Sequence, residues 1–279
     1  MKHPLLQRTA FASAAIAGLA GASSAGADDM KETAVGILIE GIVNGDRSFI
    51  EEHVAEDYIQ HNPNVADGRA GLLALIDHLH SLDRKPQITP LRVLQDGDLV
   101  AVHSEHVIGT EGVAFDLFRF ENGVAMEHWD GIQPKPETTV SGRSMTDGPA
   151  EIVDLDGTAA NRALVVNFVE DILVGGKSDR ITDYIGETYL QHNPRIGDGL
   201  EGLGAFLEHL RATDISFSYG SIHNVVAEGN FVMTQSEGEI GGAPTAFYDL
   251  FSVEKGMIVE HWDVVQEVPT EMAHDNGMF

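Results

Sequence analysis

The chain has 279 residues, enough for one large domain or for two of ordinary size. Its 17 Lys and Arg stand against 44 Asp and Glu, a formal net charge of -27 at pH 7 that argues against binding to nucleic acid or to an anionic membrane surface. The sequence has no cysteine, which excludes disulfide scaffolds, thiolate zinc sites, iron–sulfur clusters and cysteine nucleophiles.

The first 27 residues have the pattern of a secretory signal peptide. Lys2 and Arg8 give a positive start, residues 11–22 form an apolar stretch, and the run AGA at 25–27 supplies small residues before Asp28. The apolar stretch is too short for a permanent membrane span. We therefore expect cleavage after Ala27 and a periplasmic or secreted protein with no membrane contact after cleavage.

The rest of the chain contains two copies of one module. The run YIQHNP at 58–63 recurs as YLQHNP at 189–194, and EHWD at 127–130 recurs as EHWD at 260–263. This order of rare residues indicates a tandem duplication. We predict a signal peptide at 1–27, a first module at 29–136, a linker at 137–158, a second module at 159–268 and a flexible tail at 269–279.

Each module is predicted to start with three helices. An amphipathic helix comes first, and a shorter helix near 50–58 or 181–189 ends where Asn-Pro breaks it. A third helix is predicted at 70–82 or 200–212. Four antiparallel strands should then follow in each module, at 88–95, 98–108, 113–120 and 124–133, and at 215–227, 230–239, 245–253 and 257–266. Helices followed by a sheet predict an α+β fold.

The last two strands of each module carry the polar residues. A three-residue turn at 121–123 would place Asp116 opposite His128, and alternation then puts Asp116, His128 and Asp130 on one face. Trp129 points to the other face, as expected for core or module–module packing. A two-residue turn would instead turn Asp116 away from His128. The corresponding row of the second module is Asp249, His261 and Asp263.

A carboxylate–imidazole–carboxylate row beside apolar residues suits acid–base chemistry in a partly dry pocket. One carboxylate can orient the imidazole, while burial raises the pKa of the other carboxyl towards a useful range. The alternative is a purely structural Asp–His pair, in which the two buried side chains hydrogen-bond to each other and fix the sheet register.

These motifs together resemble the SnoaL-like family of the nuclear transport factor 2-like (cystatin-like α+β) superfamily. The resemblance covers both modules and implies two cone-shaped folds, each with three helices packed on a curved antiparallel sheet around an apolar cavity. It implies a cofactor-independent enzyme of the aldol-condensation or isomerase type, in which Asp130 or Asp263 is the base and His128 or His261 lies beside it. Because family members usually form dimers, the two modules should form an intrachain pseudo-dimer in a monomeric protein.

Other candidate site residues lie outside this row. His61 and His192 occur in both copies, whereas His103 is replaced by Gln235 in the second. If His61, His103 and His128 converge, they could bind a divalent metal. The hydroxyls of Tyr58 and Tyr189 could donate to an oxyanion, or each ring could simply pack in the last turn of its helix.

Three functional hypotheses follow from the sequence. The first is a cofactor-independent lyase or isomerase acting on a small apolar carbonyl compound, with Asp130 abstracting the proton and His128, His61 and Tyr58 assisting. The second is a non-catalytic protein that binds a small molecule in the same cavity. The third is a metal-dependent enzyme that uses the histidines of the first module.

Overall fold

The computed structural model describes residues 24–279, with side chains from Asp29 onward. The predicted signal peptide lies outside the described residues, except for its last four, which begin helix α1. No helix within residues 24–279 is long and apolar enough to cross a membrane.

The first module contains three helices and five strands. Helix α1 continues as π-helical turns over Ile37–Val43. The bounds are α1 Ser24–Gly36, α2 Arg47–His53, β1 Val54–Gln60, α3 Gly68–Ser81, β2 Gln87–Asp96, β3 Leu99–Ile108, β4 Thr110–Glu121 and β5 Val124–Pro134.

The second module repeats this order. Helix α4 continues as π-helical turns over Val169–Val174. A 3-10 turn at Leu155–Gly157 precedes α4, and another at Ser178–Asp183 stands in the place of α2. The remaining bounds are α4 Thr158–Phe168, β6 Ile185–Gln191, α5 Gly199–Ala212, β7 Phe217–Glu228, β8 Phe231–Ile240, β9 Ala243–Glu254 and β10 Met257–Glu267.

Each module has a five-stranded sheet, where the sequence predicted four antiparallel strands. The strand orders are β1-β5-β4-β3-β2 and β6-β10-β9-β8-β7, and the first strand of each sheet runs parallel to its neighbour. The predicted helix at 50–58 is wrong beyond His53, because residues 54–60 pair with β5 instead. The matching residues 185–191 pair with β10. The Asn-Pro break therefore ends a strand in both modules.

The two faces of each sheet have different partners. One face meets the helices of its own module, and its apolar side chains, such as Val102 and Phe118, pack against α1 and α3. The other face packs on the sheet of the second module, where Leu117, Trp129 and Trp262 join one continuous core. The molecule is therefore layered as helices, sheet, sheet, helices, with two α+β modules back to back.

Symmetry-related hydrogen bonds connect the modules. Gln133 accepts a hydrogen bond from the Val265 amide at 2.9 Å, and Gln266 accepts one from the Ile132 amide at 2.7 Å. Gln133 and Gln266 occupy the same position in the two copies, so the contact is self-complementary, like the interface of a two-fold dimer. The chain is an intrachain pseudo-dimer.

The prediction of a flexible tail at 269–279 is wrong. Met278 is 1% exposed and joins the core between the two sheets. The carbonyl oxygens of Gly277 and Met278 contact His61 and Gln235 at 2.9 and 3.1 Å. Burial of the apolar Met278 side chain stabilises this segment on the core.

Candidate active site

The hairpin that positions the site differs from the predicted one, although the expected face is preserved. Its turn has two central residues, Asn122 and Gly123, with φ values of 52° and 80°. These left-handed conformations match the turn type that joins twisted strands tightly. A bulge at Met126 then shifts the register by one residue, so that Asp116 pairs with Asp130 and Phe118 with His128.

The hairpin of the second module has the same two-residue turn and the same register shift. Lys255 and Gly256 have φ values of 53° and 76°, and the register shifts between Ile258 and Glu260. The predicted pairing of Asp116 opposite His128 is therefore wrong, as is its counterpart in the second copy. A two-residue turn alone would place Asp116 on the opposite face from His128. The bulged residue Met126 shifts the register by one more position, so Asp116, His128 and Asp130 still share one face.

In the first module His128 is held by two acceptors. Its Nδ1 lies 3.0 Å from Gln60 Oε1 and its Nε2 lies 3.2 Å from Asp116 Oδ1. Gln60 Oε1 also accepts a hydrogen bond from the Asn62 amide at 2.8 Å, which fixes the orientation of the side-chain amide. Both nitrogens of the ring thus face acceptor oxygens, an arrangement that favours the doubly protonated imidazolium form.

The electrostatics of His128 agree with this assignment. Burial lowers the pKa of His128, but the hydrogen bond to Asp116 and the charges of Asp130 and Asp116 outweigh it, so the pKa is raised overall.

Asp130 is the carboxyl with a free oxygen. Its Oδ2 accepts a hydrogen bond from Asn62 Nδ2 at 2.6 Å, while its Oδ1 has no hydrogen-bond partner. The residue is 5% exposed. Burial, aided by the charge of Asp116, raises the pKa of Asp130 from 3.8 to about 6, against the opposing effects of His128 and Asn62. The carboxyl can thus both take and return a proton near neutral pH.

The second module repeats this geometry. His261 lies 2.9 Å from Gln191 Oε1 and 3.0 Å from Asp249 Oδ1. Asp263 accepts from Asn193 at 2.6 Å, and its Oδ1 likewise has no partner. Burial and the charge of Asp249 raise the pKa of Asp263 to about 6 as well.

The row of each module lines a cavity beneath the helices. The cavity of the first module has a volume of about 200 Å³ and mostly apolar walls. Its polar lining residues are Tyr58, Gln60, Asn62, Asn64, Ser104, His106, Asp116, His128 and Asp130. The cavity of the second module, about 490 Å³, also includes Gln133 and Pro134 from strand β5 of the first.

The two tyrosines of the YIQHNP and YLQHNP motifs lie on strands, not at helix ends as predicted. Tyr58 lines the first cavity, and its ring lies 6.3 Å from that of His128. Burial, followed by the charges of Asp130 and Asp116, raises the pKa of Tyr58 well above its usual value, so its hydroxyl stays protonated. Tyr189 packs in the core of the second module, where burial also raises its pKa.

His61, His103 and His128 do not converge. His61 lies on the opposite face from His128, stacks on Trp129 at 4.9 Å and contacts Glu127 at 3.0 Å. His103 also faces the other module, and its Nδ1 accepts a hydrogen bond from Arg92 on the neighbouring strand β2 at 3.0 Å. Side chains of neighbouring strand residues point to opposite faces, which separates His61 from the cavity. The condition for a three-histidine metal site is therefore not met.

His192 repeats the placement of His61. It stacks on Trp262 at 4.6 Å, and its Nε2 lies 2.8 Å from Glu260. Its Nδ1 lies 2.6 Å from the carbonyl oxygen of Ser144 in the segment between the modules. The structure thus brings His61 and His192 to the interface between the sheets, away from both cavities.

Sequence reasoning missed several residues that do reach the cavities. In the motif Gln60-His61-Asn62 the glutamine and the asparagine face the cavity, and a strand interpretation of 54–60 would have indicated this alternation. His106 lines the first cavity, whereas His103, three residues earlier on the same strand, was the predicted site residue. In the second module the hydroxyl of Tyr219 donates a hydrogen bond to Asp249 at 3.1 Å. The two residues are 30 positions apart in sequence, so no short motif indicates the contact.

A different ligand set could hold a cation. The donor atoms of Asp116, His128 and Asp130 lie within 4.8 Å of one another, as do those of Asp249, His261 and Asp263. Two carboxylates and one imidazole suit a divalent metal. In the first module, however, His128 would have to give up its proton and its contact with Asp116 to coordinate.

The family of the chain follows from comparison with known sequences. A sequence model of the SnoaL-like domain matches residues 37–128 and again residues 165–261. The two matches cover more than half of the chain, which therefore belongs to the SnoaL-like family and carries its domain twice. No curated protein matches the chain.

The solved structures that match the chain each cover less than half of it. TsrD from Streptomyces laurentii is 19% identical, with a TM-score of 0.34, over 40% of this chain and 92% of its own. A candidate SnoaL-like polyketide cyclase from Jannaschia sp. CCS1 is 17% identical, with a TM-score of 0.35, over 41% and 92%. A candidate ketosteroid isomerase from Kribbella flavida DSM 17836 is 19% identical, with a TM-score of 0.35, over 45% and 92%.

Proposed function

We propose that the protein is a cofactor-independent lyase or isomerase that moves a proton at the carbon next to a carbonyl group of a small apolar compound. The observation that carries this proposal is the buried carboxyl of Asp130, whose Oδ1 has no partner and whose pKa is raised to about 6. Asp263 repeats it in the second module. At pH 7 about nine-tenths of such a group is ionised and able to act as a base.

The proposed reaction starts with Asp130 Oδ1 taking the α-proton. The electron pair of the broken C–H bond forms a C=C bond, and the carbonyl π electrons move to oxygen to give an enolate. The hydroxyl of Tyr58 donates a hydrogen bond to that oxygen. In an isomerisation the carboxylic acid returns the proton to another carbon, whereas in an aldol reaction the enolate carbon attacks a second carbonyl group and the new alkoxide takes the proton.

His128 has a positioning role in this scheme. As an imidazolium held by Gln60 and Asp116, it keeps a positive charge near Asp130, which opposes the effect of burial on the Asp130 pKa. Without it, the pKa of Asp130 would rise further and less of the base would be ionised at pH 7.

Exchange of α-hydrogen for solvent deuterium tests the proposal. A panel of small cyclic and linear ketones is incubated with the full chain in D₂O and followed by NMR. We expect exchange with wild type, loss of more than about 100-fold in the D130N/D263N double variant, and no loss in D98N, an exposed aspartate away from both cavities. Exchange at the wild-type rate in the double variant would refute the aspartate mechanism. Binding of a ketone without exchange by wild type would favour a binding protein.

Export of the protein is a separate proposal, supported only by the sequence of residues 1–27. Mass spectrometry of protein from the culture medium or the periplasm tests it, with a mature N-terminus at Asp28 expected and an intact Met1 contradicting it.

A further inference from the structure

His106 lies inside the first cavity and has no partner there. It is on β3, where Ser104 and His106 face the cavity while His103 faces the other module. His106 is 6% exposed, and neither its Nδ1 nor its Nε2 has a hydrogen-bond partner. A buried polar group without a partner costs free energy of folding. Such a group in a cavity wall indicates a ligand that satisfies it.

The neighbouring strand provides space for this ring. His106 pairs with Gly112 on β4. A Cβ atom at position 112 would come within 2.5 Å of His106 Nε2, so any larger residue there would displace the imidazole. The ring therefore depends on the absence of a side chain opposite it.

His106 is suited to an uncharged ligand group. Burial lowers its pKa more than the charge of Asp116 raises it, so the ring is neutral at pH 7. A neutral imidazole has one N–H donor and one acceptor nitrogen, which match a hydroxyl or a carbonyl oxygen.

The position of His106 separates it from the reacting end of the ligand. His106 pairs with Gly112, whereas Asp130 pairs with Asp116, four residues further along β4. At about 3.4 Å per residue, Gly112 and Asp116 are separated by roughly 14 Å along β4, and His106 and Asp130 lie on the strands to either side of it. A ligand with its reacting carbonyl at Asp130 would thus reach His106 with its opposite end.

The second module lacks this group. Gly238 occupies the position of His106, and its pairing partner on β7 is Tyr219. The hydroxyl of Tyr219 is already engaged with Asp249 at 3.1 Å. The two cavities share their acid–base row but differ at the far end.

We propose that His106 is a specificity residue that binds an uncharged oxygen, a hydroxyl or a carbonyl, at the end of the ligand remote from Asp130, and that it does so in the first module only. The inference takes the cavity ligand from the proposed function, but it concerns binding and does not require turnover.

Binding of two matched ketones tests the proposal. The probes are trans-1-decalone and trans-decalin-1,5-dione, which share a skeleton and differ in the second oxygen. Affinities are measured by ligand-observed NMR titration for wild type, H106L, H106Q and H78L, in which the exposed His78 of α3 serves as the matched control. We expect wild type and H78L to bind the dione at least about tenfold more tightly, a difference of about 1.4 kcal/mol. H106L should lose this preference and H106Q should keep part of it.

Two further readouts show whether the imidazole itself is involved. The dione should shift the ¹⁵N signals of His106, and H106L should be at least as stable to urea as wild type, because it removes an unpartnered polar group. Equal wild-type affinity for the two ketones, including no binding of either, overturns the proposal. A large loss of stability in H106L also overturns it, since the ring would then be structural. A His106-dependent preference in a protein that exchanges no α-hydrogen would support this inference and refute the catalytic one.

Discussion

We expect His192→Ala to destabilise the protein more than His61→Ala, with little effect of either on the chemistry of the cavities. The two histidines occupy the same position in the two modules, but their glutamate partners are buried differently. The side chains of His192 and Glu260 are 1% and 6% exposed, against 6% and 17% for His61 and Glu127. Glu127 is also bound by Arg119 at 2.8 Å, which remains when His61 is removed.

The magnitudes follow from what each substitution leaves behind. Removing His192 leaves the buried side chain of Glu260 without its hydrogen-bond partner, and leaving a buried acidic group unsatisfied costs about 3 kcal/mol or more. Removing His61 takes away one hydrogen bond to a charged group that keeps another, which costs about 1–3 kcal/mol. Loss of the stacking on Trp262 or Trp129 adds a similar small amount to each.

Urea denaturation at pH 7 measures these free energies of unfolding, and the deuterium-exchange rate per folded molecule measures the chemistry. A double-mutant cycle of His192→Ala with Glu260→Gln should give a coupling energy above about 1 kcal/mol. Equal losses for the two histidines would contradict the assigned burial. A His61→Ala protein of nearly native stability but without exchange activity would refute the structural role.

Further predictions concern the base, the tail and metal binding. D130N should raise the free energy of unfolding at pH 7 but not at pH 4. The raised pKa of Asp130 contributes stability that is present below about pH 4 and is lost as the pH rises to about 6. This contribution is roughly 3 kcal/mol for a pKa shift of about two units. A stability difference between D130N and wild type that does not change with pH, measured by urea denaturation, would contradict this. The kcat/KM for exchange should rise with pH through an apparent pKa near 6, and a flat profile from pH 5 to 8 would exclude this base. Met278→Ala should cost about 2–3 kcal/mol in the same assay, whereas no loss would mean that the tail does not pack. Exchange should survive dialysis against a chelator, and a stoichiometric metal lost in D116N would instead support a metal enzyme.

Much of the fold follows from local sequence pattern. The helices at 68–81 and 199–212 and the last four strands of each module lie within three residues of their predicted bounds, because their apolar periodicity is strong. The first strand was missed, since residues 54–60 pair in parallel with residues at least 68 positions later and the alternation of this strand is weak. A bulge at Met126 depends on the twist of the assembled sheet, and no residue type in the hairpin specifies it.

The candidate site was predictable where it rests on alternation along a strand and unpredictable where it rests on the packing of distant segments. The shared face of Asp116, His128 and Asp130 belongs to the first kind. The placement of His61 belongs to the second, because its partners include Gly277, 216 residues away. His61 was selected because imidazoles often take part in catalysis. Its neighbours Gln60 and Asn62 are the residues that contact His128 and Asp130.

In each module we expect one buried aspartate, Asp130 or Asp263, to titrate near pH 6. Carbon-13 NMR titration of aspartate carboxyl groups in the labelled full chain tests it directly. We expect two carboxyl signals with midpoints near pH 6 in wild type, one of which disappears in D130N and the other in D263N. A wild-type protein in which every aspartate titrates below about pH 4.5, close to the ordinary value, would refute the assignment of Asp130 and Asp263 as bases.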